Sequence, residues 1–187
     1  MTELHPILRD RYSPMTFEDK PVPKADIESL FNAARWASSS FNEQPWRFVV
    51  FNRHENEEAY QHGRKLLIEY NQQWSEGVPV LVFTFGKKHF SQGGKPNLHH
   101  KHDIGLAVGN LAAQATHMGL TLHQMAGFDN QKANEHLGVP EEFEPVSAIA
   151  IGYPGNPELI KDEGIRDRAL GERVRMPLEE IVHYDRW

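Results

Sequence analysis

The stretch Ala37-Ser-Ser-Ser-Phe-Asn-Glu-Gln-Pro-Trp-Arg-Phe48 decides how the rest of this chain is read. It leaves an amphipathic run and enters an aromatic, β-branched one through a turn dense in hydroxyl and amide groups. Ser38, Ser39, Ser40, Asn42 and Gln44 supply those groups, and Pro45 keeps the residue before it out of a helix. Polar groups at that density, with rings beside them, suit the rim of a planar polar heterocycle. Upstream, Pro23–Ala37 places Ile27, Leu30, Phe31, Ala34 and Ala37 at steps of three and four, which predicts a helix with proline in its first turn. Downstream, Phe48-Val-Val-Phe51 predicts a strand, and Trp46 and Phe48 belong to the core.

Farther along, Glu57–Trp74 spaces Tyr60, Leu67, Tyr70 and Trp74 helically, with Gly63 weakening its continuity. Val78–Phe85 is a continuous apolar run, expected as a buried strand with proline near its start. Asp103 is placed to cap a helix over Ile104–Met118, apolar on nearly every face and therefore central, with Gly119 just past its end. Asp129 starts a short helix ending at Leu137-Gly138, and Val146–Tyr153 is a further strand. From Pro154 to Trp187 the sequence is charged, broken by proline and glycine, and reads as an arm without a core of its own. No repeat occurs, and no Gly-x-Gly-x-x-Gly follows a strand, so a Rossmann nucleotide site is unsupported.

At 187 residues the chain fits one domain, 1–187, able to bury a core without covalent staples. It has no cysteine, which excludes disulfides, thiol nucleophiles and thiolate metal sites and fits a reducing cytoplasm. No stretch approaches the ~18 apolar residues of a membrane span, and no leader pattern opens the chain, so we expect a soluble cytoplasmic protein with no membrane partner. A net charge of −6 argues against nucleic acid, and an anionic ligand would need a local cluster of cations.

The Ala37–Phe48 stretch resembles the flavin-binding turn of the nitroreductase family, FMN-dependent NAD(P)H oxidoreductases whose pattern runs roughly Ala-Pro-Ser-Ser-x-Asn-x-Gln-Pro-Trp-x-Phe. Ser38 departs from it, standing where proline is usual. Four further blocks follow in the family's order. Arg11-Tyr12-Ser13-Pro14-Met15-Thr16-Phe17 is similar to Arg-Arg-Ser-x-Arg-x-Phe, where a guanidinium and a hydroxyl two residues apart can share one phosphate. Arg173-Val174-Arg175 resembles a late basic pair whose alternate positions in an extended segment point the same way. Met125-Ala126-Gly127 resembles the segment passing the reactive face of the flavin, where glycine permits close backbone approach. Asn71 matches an asparagine near the pyrimidine edge, but Trp74 and Met15 stand where relatives carry cations.

The resemblance implies an α+β fold, a mostly antiparallel central sheet packed among helices, with the arm 154–187 extending over the partner of a homodimer that has FMN at its interface. It implies hydride from NAD(P)H, a small-molecule electron acceptor, a ping-pong mechanism, and cofactor contacts from Arg11 to Arg175 with no catalytic side chain and no metal. Loss of positive charge at Met15 and Trp74 would lower the flavin potential unless Arg47 or a partner residue substitutes. Two alternatives stand beside this reading. One is an FMN-binding storage or sensing module without turnover. The other is a metal hydrolase built on His99, His100, His102 and Asp103, with His89 nearby.

Overall fold

The computed structural model describes residues 3–187 and is organised by four antiparallel strands in the order β1-β2-β4-β3. These are β1 Trp46–Asn52, β2 Val80–Lys87, β3 Thr121–Met125 and β4 Phe143–Gly152. The helices are α1 Pro6–Asp10, α2 Lys24–Arg35, α3 Glu57–Arg64, α4 Glu69–Trp74, α5 His100–His117, α6 Asn130–His136 and α7 Glu163–Leu170. The expected α+β arrangement, with a mostly antiparallel sheet among helices, is what forms.

Both central strands carry apolar runs, Val80–Phe83 in β2 and Ala148–Ile151 in β4, because both faces of the sheet are covered there. Alternation sends Val80, Val82, Ile149 and Ile151 to one face, where they meet Leu30 and Ala34 of α2 and Ile104, Val108 and Leu111 of α5. Leu81, Phe83, Phe85, Ala148 and Ala150 face the other way, into Tyr60, Leu66, Leu67, Trp74 and Met125. Trp46 and Phe48 lie in the first cluster, as read from the sequence. A register shift between Thr84 and Phe85 leaves Pro145 at an irregular position, which suits a residue with no N–H to donate.

Two expectations are corrected. The run 57–74 is two helices, since the backbone at 66–68 pairs elsewhere: Ile68 N donates to Gly127 O (3.1 Å) and Asp129 N to Leu66 O (2.8 Å). Burying adjacent Leu66 and Leu67 on that bridge wins over continuing the helix. The arm also carries structure of its own, because Asp162 caps α7 through Ile165 N (2.8 Å) and Ile165 is buried against the second cluster. Gly119 follows α5 at φ 71° and Asp129 caps α6, both as expected.

Candidate functional site

The ends of the chain meet in one cavity. Arg173 Nη2 donates to the carbonyls of Arg9 (2.7 Å) and Arg11 (2.8 Å), tying the arm to the segment after α1. Arg11, Arg173 and Arg175 then line a cavity of about 610 Å³ with Tyr12, Ser13, Met15, His123, Arg168 and Glu172. None of the three guanidiniums is ion-paired among the described residues. Burial, then the like charge of Arg173 and Arg175, holds Arg11 below the ordinary arginine value. Converging cations without a carboxylate partner make a site for an anion. Ser13 Oγ lies 3.5 Å from Arg11 Nη1, beside that charge.

A second cavity of about 250 Å³ adjoins the first, sharing Met15, His123 and Arg168, and is walled by Ile68, Asn71, Met125, Ala126 and Gly127. Asn71 is buried and largely committed: Nδ2 donates to Gly127 O (2.9 Å) and Oδ1 accepts from Trp74 Nε1 (3.3 Å). The same packing explains Gly127, since a Cβ there would sit 2.6 Å from Ile68 Cδ1 and 2.7 Å from Asn71 Nδ2. Close approach is indeed needed at this glycine, but to the start of α4. Met15 is buried and apolar, as is Trp74, whose ring lies 4.7 Å from that of His123.

The hydroxyl-rich turn lies apart. Ser38, Ser39 and Ser40 line a third cavity, about 260 Å³, with His99, His102, Asp103 and Leu106. Asp103 does not cap α5; its carboxylate is buried and accepts from Ser40 N (3.1 Å). Ser39 Oγ accepts from Gln44 N (3.0 Å), so both residues close the turn on itself. Glu43 ties it to the following loop, accepting from Ser91 N (2.9 Å), Ser91 Oγ (2.6 Å) and Lys87 Nζ (3.3 Å). Burial opposes ionisation of Glu43, but those donors outweigh it and keep its carboxyl below the usual range. Phe41, Asn42 and Gln44 take φ near +50°, conformations costing of order 1 kcal/mol or more for residues such as Phe and Gln. The strain holds Phe41 out in solvent, 92% exposed.

The serine turn and the arginine-side cavities therefore lie in separate parts of the chain. The serine turn leads into β1 and the Met125–Gly127 corner follows β3, the two edge strands, three spacings or roughly 14 Å apart. They also use opposite faces, α5 covering one and Trp74 the other.

The histidine run disperses. His100 Nδ1 donates to Asn97 O (2.6 Å) and its Nε2 meets Glu144 Oε1 (2.5 Å), while His99 and His102 border the serine cavity. Among the described residues no three His, Asp or Glu side chains converge as a metal would require. Arg47 is spent on the carbonyls of Gln44 (3.2 Å) and Trp46 (2.7 Å), so it does not stand in for the missing cations. Arg168 does border both arginine-side cavities, held by Tyr70 Oη at 3.2 Å. Sequence reading missed Arg168, whose only signal is a place on a charged helix in the arm. It also read Asp103 as a cap.

Comparison with known proteins accords with this architecture. A solved FMN-containing oxidoreductase superposes with a TM-score of 0.92 at 32% identity, covering 99% of this chain and 93% of that one. A putative NADH dehydrogenase/NAD(P)H nitroreductase of Archaeoglobus fulgidus is 26% identical over 162 residues, 82% of this chain and 87% of that protein. Iodotyrosine deiodinase 1 of Rattus norvegicus is 24% identical over 185 residues, 86% of this chain and 65% of that one. The chain spans 65% of the rat protein's length and 56% of that of a 15.4 kDa relative from Mycolicibacterium smegmatis. A profile described as "Nitroreductase family" matches residues 8–153, most of the chain and all four strands of its sheet, and the protein belongs to that family.

Proposed function

We propose that this protein is an FMN-dependent oxidoreductase that takes hydride from NAD(P)H and reduces a small organic acceptor, a nitroaromatic or a quinone, in a ping-pong cycle. One observation carries the reading: Arg11, Arg173 and Arg175, from opposite ends of the chain, face one cavity with no carboxylate paired to them. That arrangement fits a phosphate dianion, with Ser13 as an added donor. The adjoining cavity, walled by Met125, Ala126 and Gly127 and sharing Met15, His123 and Arg168 with the first, offers room beside it for the rest of the cofactor. When bound, the flavin supplies the electron chemistry, and the protein binds, orients and shields it.

A second copy of the chain completes the site in this reading. Ser38, Ser39, Ser40 and Asn42 lie on the far edge of the sheet from the arginines, so their donors serve a flavin seated on the partner. The arm supports such a dimer, because Leu178, Ile181, Tyr184 and Trp187 are exposed in the single chain and need cover. On α5, Gly105 and Gly109 leave open space beside the exposed Leu106, a face that a helix can approach closely. The similarity to a deiodinase leaves the acceptor to pocket shape rather than to the fold.

The visible spectrum of the purified protein, followed by identification of what denaturation releases, tests this directly. A yellow protein that yields FMN and bleaches on anaerobic mixing with NADH or NADPH is expected. A protein that takes up no FMN overturns the reading, and one that binds FMN without bleaching is a storage or sensing module.

A further inference from the structure

The two arginine-side cavities share a titratable group that the proposed function leaves without a task. His123, on β3, is largely buried, with its ring against Trp74. Its Nδ1 lies 2.7 Å from the carbonyl of Pro14, an acceptor only, so Nδ1 carries the proton and donates. Neutral His123 therefore has an unprotonated Nε2. That atom has no partner among the described residues, nor is it one of the sealed, unsatisfied atoms of the interior. His123 itself lines both cavities, together with Met15.

Every group facing His123 can be named. Its own strand adds no other charge. The segment before β1 contributes Arg11 and Tyr12, α4 contributes Tyr70, α7 contributes Arg168, and the arm contributes Glu172, Arg173 and Arg175. Burial, opposed by the Pro14 bond and aided by Arg168, holds the imidazole below its ordinary value of 6.5, and so neutral at pH 7. Negative charge arriving at the cavity junction acts in the opposite sense. Met15 lines both cavities and Trp74 packs on the imidazole, so beside the fixed charge of Arg168 it is His123 that can answer the new charge by taking up a proton.

We infer that His123 is a proton-coupled positioning residue: it takes a proton from solvent at Nε2 when the bound flavin gains charge, serving as a titratable counter-charge where Met15 and Trp74 provide none. The inference rests on the proposed function. The balance is two electrons and one proton to the flavin, as the hydride of a dihydronicotinamide or from dithionite plus solvent, and one further solvent proton to Nε2. On reoxidation by the acceptor both protons leave the protein. His123 forms no covalent bond and is not a catalytic residue in the sense of touching the transferred hydride.

The test is nitrogen NMR of ¹⁵N-histidine-labelled FMN-loaded protein near pH 7, oxidised and then reduced with dithionite. The oxidised form should show His123 as the neutral Nδ1–H tautomer, and the reduced form should show both ring nitrogens protonated. His123→Gln, which keeps a donor for Pro14, should bind FMN within a few fold of the parent and take up one proton per two electrons instead of two. An Nε2–H tautomer, or an imidazole that stays neutral on reduction while FMN remains bound, overturns this inference alone. A chain that binds no FMN overturns it together with the reading beneath it.

Discussion

The two halves of the candidate site are built in opposite ways. The serine turn closes on itself through short-range bonds such as Gln44 N to Ser39 Oγ, and is tied to the rest of the chain by Asp103 at Ser40 and by Glu43 at Lys87 and Ser91. The arginine cavity is made by the chain's ends, with Arg173 holding the backbone of Arg9 and Arg11 more than 160 positions away. The turn spends strain to hold its shape, with three residues at positive φ. The cavity instead keeps like charges together, and an anion would relieve it. A shape that must be ready before the ligand arrives is fixed by hydrogen bonds; a charge that must be neutralised by the ligand is left open. Within one chain the sheet keeps the two regions apart.

The largest effect should come from the charged half. Replacing Arg11 or Arg175 with Gln removes one charged donor, roughly 1.5–3 kcal/mol, so FMN should bind about 10- to 150-fold more weakly by fluorescence titration. The double variant should lose the cofactor during purification. Next comes the anchor of the local half. Asp103→Ala orphans the Ser40 N–H and should cost about 1–3 kcal/mol in urea denaturation, with weaker FMN retention, while Asp103→Asn should restore much of the stability. An Asp103→Ala protein as stable as its parent would mean the turn does not need that carboxylate.

Gly127→Ala probes the corner that walls the cavity beside the arginines. Its Cβ meets Ile68 and Asn71 below 3 Å, so overpacking of about 1–3 kcal/mol is expected, together with a displaced Asn71. The smallest effect is that of pH on stability. His123 is depressed in the folded protein, so the unfolded chain binds more protons just below 6.5. Its contribution is fully present above that value and is lost as pH falls through it toward the folded value. Thermal midpoints should decline between pH 7 and 5, and His123→Gln should make that decline shallower.

What the sequence disclosed follows the same division. Strands β1, β2 and β4, the α2 and α5 helices and the serine turn were legible because each is written in adjacent residues: continuity of apolar side chains, helical spacing, and the polar run before Pro45. The Asp129 cap was legible for that reason too, its partner Lys132 N being three residues on. Asp103 looked the same locally, yet its partner stands 63 positions back, and nothing in the neighbouring residues signals this. The break in 57–74 was hidden because it is decided by the bridge to Phe128 and Asp129 rather than by Gly63, which stays inside α3 packed on Phe51. His123 and Arg168 gain meaning only from the cavities that the distant segments Arg11–Met15 and Glu172–Arg175 close over them.

The account depends most on the exchange of half-sites between two copies. Arg11→Gln/Arg175→Gln protein and Asp103→Ala protein can be co-expressed with different tags, the mixed dimer purified through both, and its FMN content measured against either parent variant alone. In the mixed dimer one site draws its arginines from one chain and its intact serine turn from the other, so one tightly held FMN per two chains is predicted, where the double arginine variant alone holds almost none and the Asp103→Ala variant alone holds FMN only weakly. A mixed dimer that holds no more FMN than the two variants separately would show that each chain builds its site unaided, and would contradict the account.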